Sequence, residues 1–443
     1  MRKIFGTDGA RGIANKDITV ELAVNIGRAI STYFRDDAPI LIGEDTRISS
    51  PMLRNAISAG IVSKGLDAII AGIIPTPAVS LLTRINNFAA GVVISASHNP
   101  IEYNGIKLFS HSGFKLEDSI EEMIENMIES PLFEEPPTGT GIGRIIQDEN
   151  LKESYINLLV EHFPLNLERL KIAVDCAFGS TFYTTPTILK RLGATTCEIG
   201  TTPDGKRINV DCGSTNPNVI SQFTVAEGAD IGISHDGDGD RVIFSDSEGN
   251  IVDGDETMLI IGKYLKKKGK LKNNTVVGTM MSNVGIENAF REEGIIFLRA
   301  PVGDRYVLSE MSKSEAILGG EQSGHIIYLN EGTTGDGLIT ALMILTVMID
   351  EEKPLSKLRK GIVRFPQVLI NARVKDKEIL NSEHVINFIN EEKRRLGKEG
   401  RIFIRASGTE PLIRVMVEGE NEKDVNNIAT KIKEFLEEKP CAE

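Results

Sequence analysis

One structural unit occurs three times along this chain of 443 residues. Each copy contains an apolar strand, a polar loop, a helical segment and a glycine that fits a helix C-cap, and a second apolar strand follows. The copies occupy residues 40–65, 172–193 and 276–294. Strands that alternate with helices predict largely parallel α/β layers. The repeat therefore predicts three similar α/β domains.

A further apolar strand follows each unit and ends in a polar loop. The three loops are SASHNP at residues 95–100, HDGDGDR at 235–241 and GGEQSGH at 319–325. Ligand sites in α/β sheets lie beyond the carboxyl ends of strands. We therefore expect three similar domains to direct three different loops into one central cleft.

The last part of the chain has a different pattern. From about residue 367 it reads as β-α-β-β-α with amphipathic strands, which predicts a small α+β domain. The predicted domains carry, in order, a serine loop, a metal loop, a sugar loop and a phosphate loop, and they span 1–150, 151–253, 254–364 and 365–443.

Composition and charge narrow the possible partners. A formal net charge of −13 argues against nucleic acid or an acidic membrane surface. The longest apolar stretch, at residues 338–349, is too short to span a bilayer and reads as a core helix. Four cysteines without metal-type spacing predict reduced thiols in a cytoplasmic protein: Cys176, Cys197, Cys212 and Cys441.

The metal loop places Asp236, Asp238 and Asp240 at alternate positions of a glycine-rich turn. Such carboxylates can converge on one hard cation, and oxygen ligands favour Mg²⁺, Mn²⁺ or Ca²⁺ over zinc. The alternatives are a structural cation or a merely solvated turn. An EF-hand is excluded because Ser247 stands where the closing glutamate should be. Three carboxylates predict that the remaining ligand is anionic, and phosphate is the usual candidate.

Ser97 follows an apolar strand in the first loop. A phosphorylated serine bears about −1.5 to −2 charge and would be a fourth partner for a cation on the metal loop. The alternative is a helix N-cap. Lys107 and Arg11 lie near glycines in the same domain. A lysine with a depressed pKa can serve as a general acid or base or as a phosphate clamp, whereas a lone lysine is more commonly solvated.

Two other loops carry groups that suit a sugar phosphate. Glu321, Ser323 and His325 alternate in GGEQSGH and could bond adjacent sugar hydroxyls, although an ordinary polar loop has the same composition. In RASGTEPLIR, Arg405 and Arg414 could add charge-assisted bonds to a phosphate. The residues between them that could present N–H groups and hydroxyls are Ser407, Gly408 and Thr409. The alternative is a hairpin turn with two surface arginines.

Five motifs, FGTDGARG, SASHNP, DGDGDR, GGEQSGH and RASGTEP, occur in this order. With them the whole chain resembles the α-D-phosphohexomutase family. The segments INVDCGST, VVGTMMSNVG, PVGDRYV and TTGDGL resemble its amino-sugar branch. The resemblance implies three α/β domains with mixed sheets, followed by a TATA-binding-protein-like domain, around a central cleft.

The resemblance also implies an activity. Glucosamine 6-phosphate and glucosamine 1-phosphate would interconvert through phosphorylated Ser97 and a 1,6-bisphosphate, on the route to UDP-N-acetylglucosamine. One Mg²⁺ per chain, with glucosamine 1,6-bisphosphate or an equivalent as activator, would be required. Lys107 and Arg11 would assist proton transfer. Matching positions that would bind the substrate are Arg241, Gly303, Asp304, Glu321, Ser323, His325, Arg405, Ser407, Gly408, Thr409 and Arg414.

Two alternatives remain at this point. The first is another enzyme of the family, a phosphomannomutase or phosphoglucomutase, which would share all five loops. The second is a non-catalytic sugar-phosphate sensor, which would need neither a phosphorylatable serine nor a metal loop. In each case we expect a monomer or homodimer without a nucleic acid or membrane partner.

Overall fold

The computed structural model describes residues 4–6, 8–34, 38–129, 135–374, 376–397, 400–406 and 412–438. The chain divides into two compact units. One unit comprises Met1–Thr279 and Leu298–Lys360, and the other comprises Met280–Phe297 and Gly361–Glu443.

The first α/β domain is built on a six-stranded mixed sheet. Its elements are β1 (Ala10–Ile13), α1 (Val20–Tyr33), β2 (Ile40–Glu44), α2 (Ser50–Val62), β3 (Ala68–Ile73), α3 (Thr76–Ile85), β4 (Ala90–Ile94), β5 (Tyr103–Ser110), α4 (Asp118–Glu129) and β6 (Ile145–Gln147). The strand order is β1-β5-β4-β2-β3-β6. Helices α1 and α2 pack closely because Gly27 and Gly60 face each other, and a β-carbon on either would collide with the opposite backbone.

The second α/β domain has a five-stranded sheet. Its elements are α5 (Asn150–His162), β7 (Lys171–Asp175), α6 (Thr184–Arg191), β8 (Thr195–Ile199), α7 (Pro217–Glu227), β9 (Ile231–His235), β10 (Val242–Asp246) and β11 (Ile251–Val252). The strand order is β11-β10-β9-β7-β8. Both β9 and β10 are buried along their whole length, so the loop between them starts and ends in the core.

The third α/β domain has a four-stranded sheet in the order β13-β12-β14-β15. Its elements are α8 (Gly254–Lys267), β12 (Thr275–Thr279), α9 (Val284–Glu292), β13 (Ile296–Ala300), α10 (Asp304–Ser314), β14 (Leu318–Gly320), β15 (Ile326–Tyr328), α11 (Gly337–Asp350) and α12 (Leu355–Leu358). Helix α11 is the predicted core helix, and the Asp336 carboxylate caps it by accepting from the N–H groups of Leu338 and Ile339. Within the described ranges, no helix is long and apolar enough to cross a membrane.

The three sheets share one strand order, which confirms the prediction of three similar domains. The equivalent sets are β5-β4-β2-β3, β10-β9-β7-β8 and β15-β14-β12-β13. In each set the strand that leads into a predicted site loop runs parallel to the first strand of the repeat. The next strand returns antiparallel to it. The parallel pairs confirm the expected α/β layers, and each sheet is mixed, as the family resemblance implies, because each site loop connects two antiparallel neighbours.

The C-terminal domain confirms the predicted β-α-β-β-α pattern. It contains β16 (Gln367–Arg373), α13 (Glu383–Leu396), β17 (Arg401–Ala406), β18 (Leu412–Glu418) and α14 (Glu422–Glu438). The sheet order is β16-β18-β17, and both pairs are antiparallel. Alternate residues of the central strand β18 are buried with one face of α14, as expected for a sheet covered by a helix on one side.

The described cysteines agree with the predicted reduced state. Cys176, Cys197 and Cys212 are free thiols. Cys441 lies outside the described residues.

Candidate active site

The three aspartates of the metal loop lie in the turn between β9 and β10. Asp236, Asp238 and Asp240 are 0%, 1% and 3% exposed. One carboxylate oxygen from each lies within 4.8 Å of the others. The alternative of a solvated turn is therefore wrong, because all three charges are buried together.

This cluster fits a hard cation. Asp238 Oδ1 and Asp240 Oδ1 are buried and accept no hydrogen bond from the described part of the chain. An unsatisfied buried oxygen is costly, and a cation would satisfy both. Burial, and next the charges of Asp240 and Asp238, raise the pKa of Asp236 well above its ordinary value. A divalent ion would relieve the same repulsion, so the donor set fits a hard divalent cation such as Mg²⁺.

Ser97 contacts this loop from the first domain. Its hydroxyl, 1% exposed as a residue, donates to Asp236 Oδ2 at 2.5 Å. The backbone of Ser97 has a φ of +51°, and the chain turns from there into β5 rather than into a helix. The alternative of a helix N-cap is therefore wrong.

His98, which the sequence did not single out as a site residue, adds an imidazole beside this hydroxyl. Its Nδ1 lies 3.3 Å from Ser97 Oγ. Burial, followed by the positive charges of Arg241 and Arg11, lowers the pKa of His98 to about 4. The ring is therefore neutral near pH 7 and can exchange a hydrogen bond with the serine.

Lys107 projects from β5 into the aspartates. It is 1% exposed, and its Nζ lies 2.9 Å from Asp238, 3.2 Å from Asp240 and 3.3 Å from Asp8. Burial lowers the pKa of Lys107, but the three carboxylates outweigh burial and hold it well above its ordinary value. The solvated alternative is wrong, and the depressed pKa that a general acid or base would need is not found. Lys107 acts here as a buried counterion.

Asp8 joins three cations of the first domain and was not predicted. Its carboxylate contacts Arg11, Lys115 and Lys107. Lys115 also contacts Asp304, and so connects the first and third domains. Burial raises the pKa of Asp8, but these cations outweigh it and hold the pKa well below its ordinary value. The available signal was the position of Asp8 between Gly6 and Gly9 in FGTDGARG, whereas Lys115 has no comparable signal.

Thr76 is a second unpredicted contact of the metal loop. Its Oγ1 donates to Asp238 Oδ2 at 2.6 Å, and its N–H donates to the Asp238 carbonyl at 2.9 Å. Thr76 is the first residue of α3, so the amino end of that helix faces the aspartate loop. The prolines around it predict a helix start, but nothing local predicts a partner 162 positions away.

The third domain brings two predicted sugar-binding groups together. Glu321 Oε1 accepts the backbone N–H of Gly303 at 3.0 Å. Gly303 has a φ of +126°, a region that favours glycine, and it precedes α10. Glu321 is half-buried and Ser323 is exposed in the same loop. Both side chains therefore remain accessible from the loop.

His325 and Arg241 lie against the metal loop. His325 Nδ1 is 3.6 Å from Asp240 Oδ1, and its Nε2 is 3.7 Å from Asp304 Oδ2. Because Nε2 also accepts the N–H of Gly335 at 3.1 Å, the neutral ring carries its proton on Nδ1, facing Asp240. Arg241 Nε lies 3.8 Å from Asp240 Oδ1 and is buried without a hydrogen-bond partner among the described residues. The imidazole and the guanidinium thus flank the third aspartate.

The C-terminal domain presents a pair of arginines. Arg405 and Arg414 are directly opposite each other on β17 and β18. Arg405 is exposed and Arg414 is half-buried. Like charges directly opposite one another destabilise a strand pair, so an anion between them would be favoured. The predicted phosphate-loop residues Ser407, Gly408 and Thr409 lie outside the described residues.

Three similar α/β domains and a serine that is hydrogen-bonded to a triple-aspartate loop are typical of one class of enzymes that act on phosphosugars. The chain belongs to the phosphoglucomutase/phosphomannomutase family. Its α/β/α domains I, II and III match residues 2–135, 153–249 and 253–365, and its C-terminal domain matches 369–435.

Among its relatives are proteins named phosphoglucosamine mutase. The protein of that name from Carboxydothermus hydrogenoformans is 50% identical, with 99% of this chain and 100% of the relative covered. That from Thermoanaerobacter pseudethanolicus is 48% identical, with the same coverage. The fold matches that of a phosphoglucomutase/phosphomannomutase family protein from Burkholderia thailandensis, with a TM-score of 0.81, 22% identity and 98% of each chain covered.

Proposed function

We propose that this chain is a phosphoglucosamine mutase that interconverts glucosamine 6-phosphate and glucosamine 1-phosphate. The observation that carries the proposal is the 2.5 Å hydrogen bond between Ser97 Oγ and Asp236 in the buried metal loop. It supports the proposal because the serine that would carry the phosphate contacts the triple-aspartate loop that would bind the cation. The amino-sugar substrate follows from relatives of that name that are 48–50% identical over essentially the whole chain.

Two phosphoryl transfers would complete the reaction. The free hydroxyl of the bound sugar phosphate attacks the phosphorus on Ser97, the Ser97 Oγ–P bond breaks, the hydroxyl proton passes to Ser97 Oγ, and glucosamine 1,6-bisphosphate forms. The bisphosphate reorients, Ser97 Oγ attacks the phosphorus of the other phosphate, the bond from that phosphorus to the sugar oxygen breaks, and the serine proton passes to that sugar oxygen. Mg²⁺ held by Asp236, Asp238 and Asp240 would supply charge neutralisation on the transferring group. A phosphate on Ser97 would complete this metal site.

The other residues of the first and third domains would bind and orient the sugar phosphate. Lys107 and Arg11 would stabilise negative charge near Ser97 and assist proton transfer. The half-buried carboxylate of Glu321 and the exposed hydroxyl of Ser323 would hold sugar hydroxyls in either orientation. Three further positions would complete the substrate site: Arg241, Asp304 with the preceding Gly303, and His325.

The C-terminal domain would anchor the phosphate that is not reacting. Arg405 and Arg414 offer two guanidinium groups on one face of a hairpin. Ser407, Gly408 and Thr409 would add N–H and hydroxyl donors. A fixed anchor for either phosphate would allow both sugar orientations to present the opposite hydroxyl to Ser97.

The requirements and setting of the enzyme are part of the proposal. It would need one Mg²⁺ per chain, a phosphorylated Ser97 and glucosamine 1,6-bisphosphate or an equivalent as activator. It would work in the cytoplasm as a monomer or homodimer, without a nucleic acid or membrane partner. Its domains would span 1–150, 151–253, 254–364 and 365–443.

A rate comparison tests this proposal. We would measure glucosamine 1-phosphate formation from glucosamine 6-phosphate with Mg²⁺ and a trace of the 1,6-bisphosphate, beside the glucose and mannose analogues. A preference for the amino sugar is expected. Equal or faster turnover of glucose or mannose phosphate would overturn the substrate and favour a phosphoglucomutase or phosphomannomutase. Binding without any turnover would favour a sugar-phosphate sensor.

A further inference from the structure

The backbone carbonyl of Ser97 accepts hydrogen bonds from two side chains of different domains. Arg47 Nη2, in the loop after β2, donates to it at 2.9 Å. Asn209 Nδ2, in the second domain, also donates to it at 2.9 Å. A carbonyl oxygen has two lone pairs, so these bonds satisfy it fully. The residue that would carry phosphate is thus held through its backbone from two sides.

The Arg47 guanidinium organises the whole serine loop. It is 1% exposed, and its Nε donates to Asp45 Oδ2 at 2.9 Å. Its four remaining N–H groups donate at 2.6–2.9 Å to the carbonyls of Ser97, Asn99, Pro100 and Tyr103. All five donors of Arg47 are therefore used, and four of them hold the backbone between Ser97 and Tyr103. Lysine could not replace this planar fork.

Asn209 adds a link to the metal loop. A β-carbon on Gly237, the residue after Asp236, would lie 2.7 Å from the Ser97 carbonyl oxygen and 2.8 Å from Asn209 Nδ2. The Asn209 amide therefore lies where the serine loop and the metal loop touch. Its Oδ1 is buried without a partner among the described residues, so the amide uses only its donor end.

Ser97 needs such support because its φ of +51° is unfavourable for a residue with a side chain. Without it, the loop would relax toward other conformations, and the hydroxyl would leave Asp236. We propose that Arg47 and Asn209 are positioning residues that hold Ser97 Oγ on the metal loop for phosphoryl transfer. They act through the backbone and touch neither the sugar nor the transferred group. The inference rests on the proposed function, because it presumes that Ser97 carries the phosphate.

Asn209→Gly is the sharpest test. Asn209 itself has a φ of +60°, so glycine removes the amide without straining the backbone. The matched control is Asn274→Gly, an exposed asparagine with a φ of +49° in the turn before β12. The measurements are kcat, KM, the melting temperature, and the rate at which the 1,6-bisphosphate phosphorylates Ser97, followed by mass spectrometry.

We expect Asn209→Gly to lower kcat and the Ser97 phosphorylation rate together by about 10- to 100-fold. KM should stay within about twofold of wild type, and the melting temperature should match that of Asn274→Gly. Asn209→Asp, which places a carboxylate against the Ser97 carbonyl, should lose more. Unchanged kcat and phosphorylation rates in Asn209→Gly would overturn the inference. Slower rates would also overturn it if the melting temperature fell as well, because lower stability would then explain the loss.

Arg47→Lys provides an independent test, because lysine lacks the planar guanidinium group. We expect kcat and the Ser97 phosphorylation rate to fall in this variant and to recover partly when guanidinium ion is added. A folded Arg47→Lys protein with normal phosphorylation of Ser97 would overturn the role of Arg47. The phosphorylation assay does not depend on which hexose is the substrate. A wild-type protein that is phosphorylated on Ser97 but prefers another hexose would overturn the proposed substrate and leave this inference standing.

Discussion

Ser97 Oγ donates a 2.5 Å hydrogen bond to Asp236 Oδ2 across 139 positions of sequence. The serine oxygen is therefore already on the metal loop before any phosphate is attached. His98 Nδ1 lies 3.3 Å from Ser97 Oγ, and Lys107 Nζ lies 2.9 Å from Asp238, the next aspartate of the same loop. This arrangement makes Ser97 and the aspartates the first residues to test.

Ser97→Ala should lower mutase turnover by at least about a thousandfold, because alanine has no oxygen to accept the phosphoryl group. The measurement is the rate with saturating glucosamine 6-phosphate, together with phosphate incorporation from the bisphosphate. Ser154→Ala, on the exposed face of α5, is the control and should behave as wild type. Near-normal rates in Ser97→Ala would remove Ser97 from the mechanism.

Asp238→Asn should weaken Mg²⁺ binding, because an amide replaces one of three anionic ligands while the shape is kept. The measurement is the rise in melting temperature that excess Mg²⁺ produces. A ligand at 100 times its Kd stabilises by about 2.7 kcal/mol, so wild type should show a clear rise and the variant a much smaller one. Asp350→Asn, at an exposed ion pair with Lys268, should keep the full rise. An equal rise in Asp238→Asn would exclude this loop as the metal site.

Arg414→Ala and Arg405→Ala should each raise KM about 10- to 100-fold, because each removes charge-assisted hydrogen bonds of about 1.5–3 kcal/mol from the anchored phosphate. The chemistry at Ser97 is separate, so kcat should fall much less. The steady-state rates of both variants would be compared with those of Lys431→Ala, an exposed cation on α14 of the same domain. If KM stayed at the wild-type value in both variants, the arginines would be surface residues of an ordinary hairpin.

Glu44 should make stability depend on pH. Burial raises its pKa to about 7 from an ordinary 4.5, although Arg54 offsets part of the shift. Between these values the folded chain holds a proton that the unfolded chain has lost. The resulting contribution to the free energy of unfolding is complete below about pH 4.5. It is lost as the pH rises through about 7, and the total loss is on the order of 3 kcal/mol.

Urea unfolding of Glu44→Gln between pH 5 and pH 8 would check this dependence. The glutamine cannot titrate, so its urea midpoint should fall less over this range than that of wild type. Glu153→Gln is the control, because the pKa of Glu153 is lowered by its hydrogen bond to Arg191 and it is ionised throughout. A Glu44→Gln profile parallel to wild type would contradict the raised pKa.

Structural features that depend on short, local sequence patterns were predictable. The three repeats, the triple-aspartate turn and the C-terminal β-α-β-β-α pattern depend on local periodicity and turn residues, and all three are found. Contacts between distant segments were not predictable. The sequence left open whether the pKa of Lys107 is depressed, because the direction of its shift depends on Asp8, Asp238 and Asp240, whose approach only packing determines. Asp8 and Thr76 were missed for the same reason.

The shared strand order of the three α/β domains has a consequence for how such a site can change. Each predicted site loop leaves the sheet from one strand and re-enters it on the adjacent antiparallel strand, so its two ends are fixed by hydrogen bonds that do not involve the loop sequence. The sequence of each loop can therefore change while the pairing of its two flanking strands stays the same. Serine, aspartate and glutamate chemistries could diverge in the three loops independently, and a transplanted loop of equal length would meet the same two anchor points.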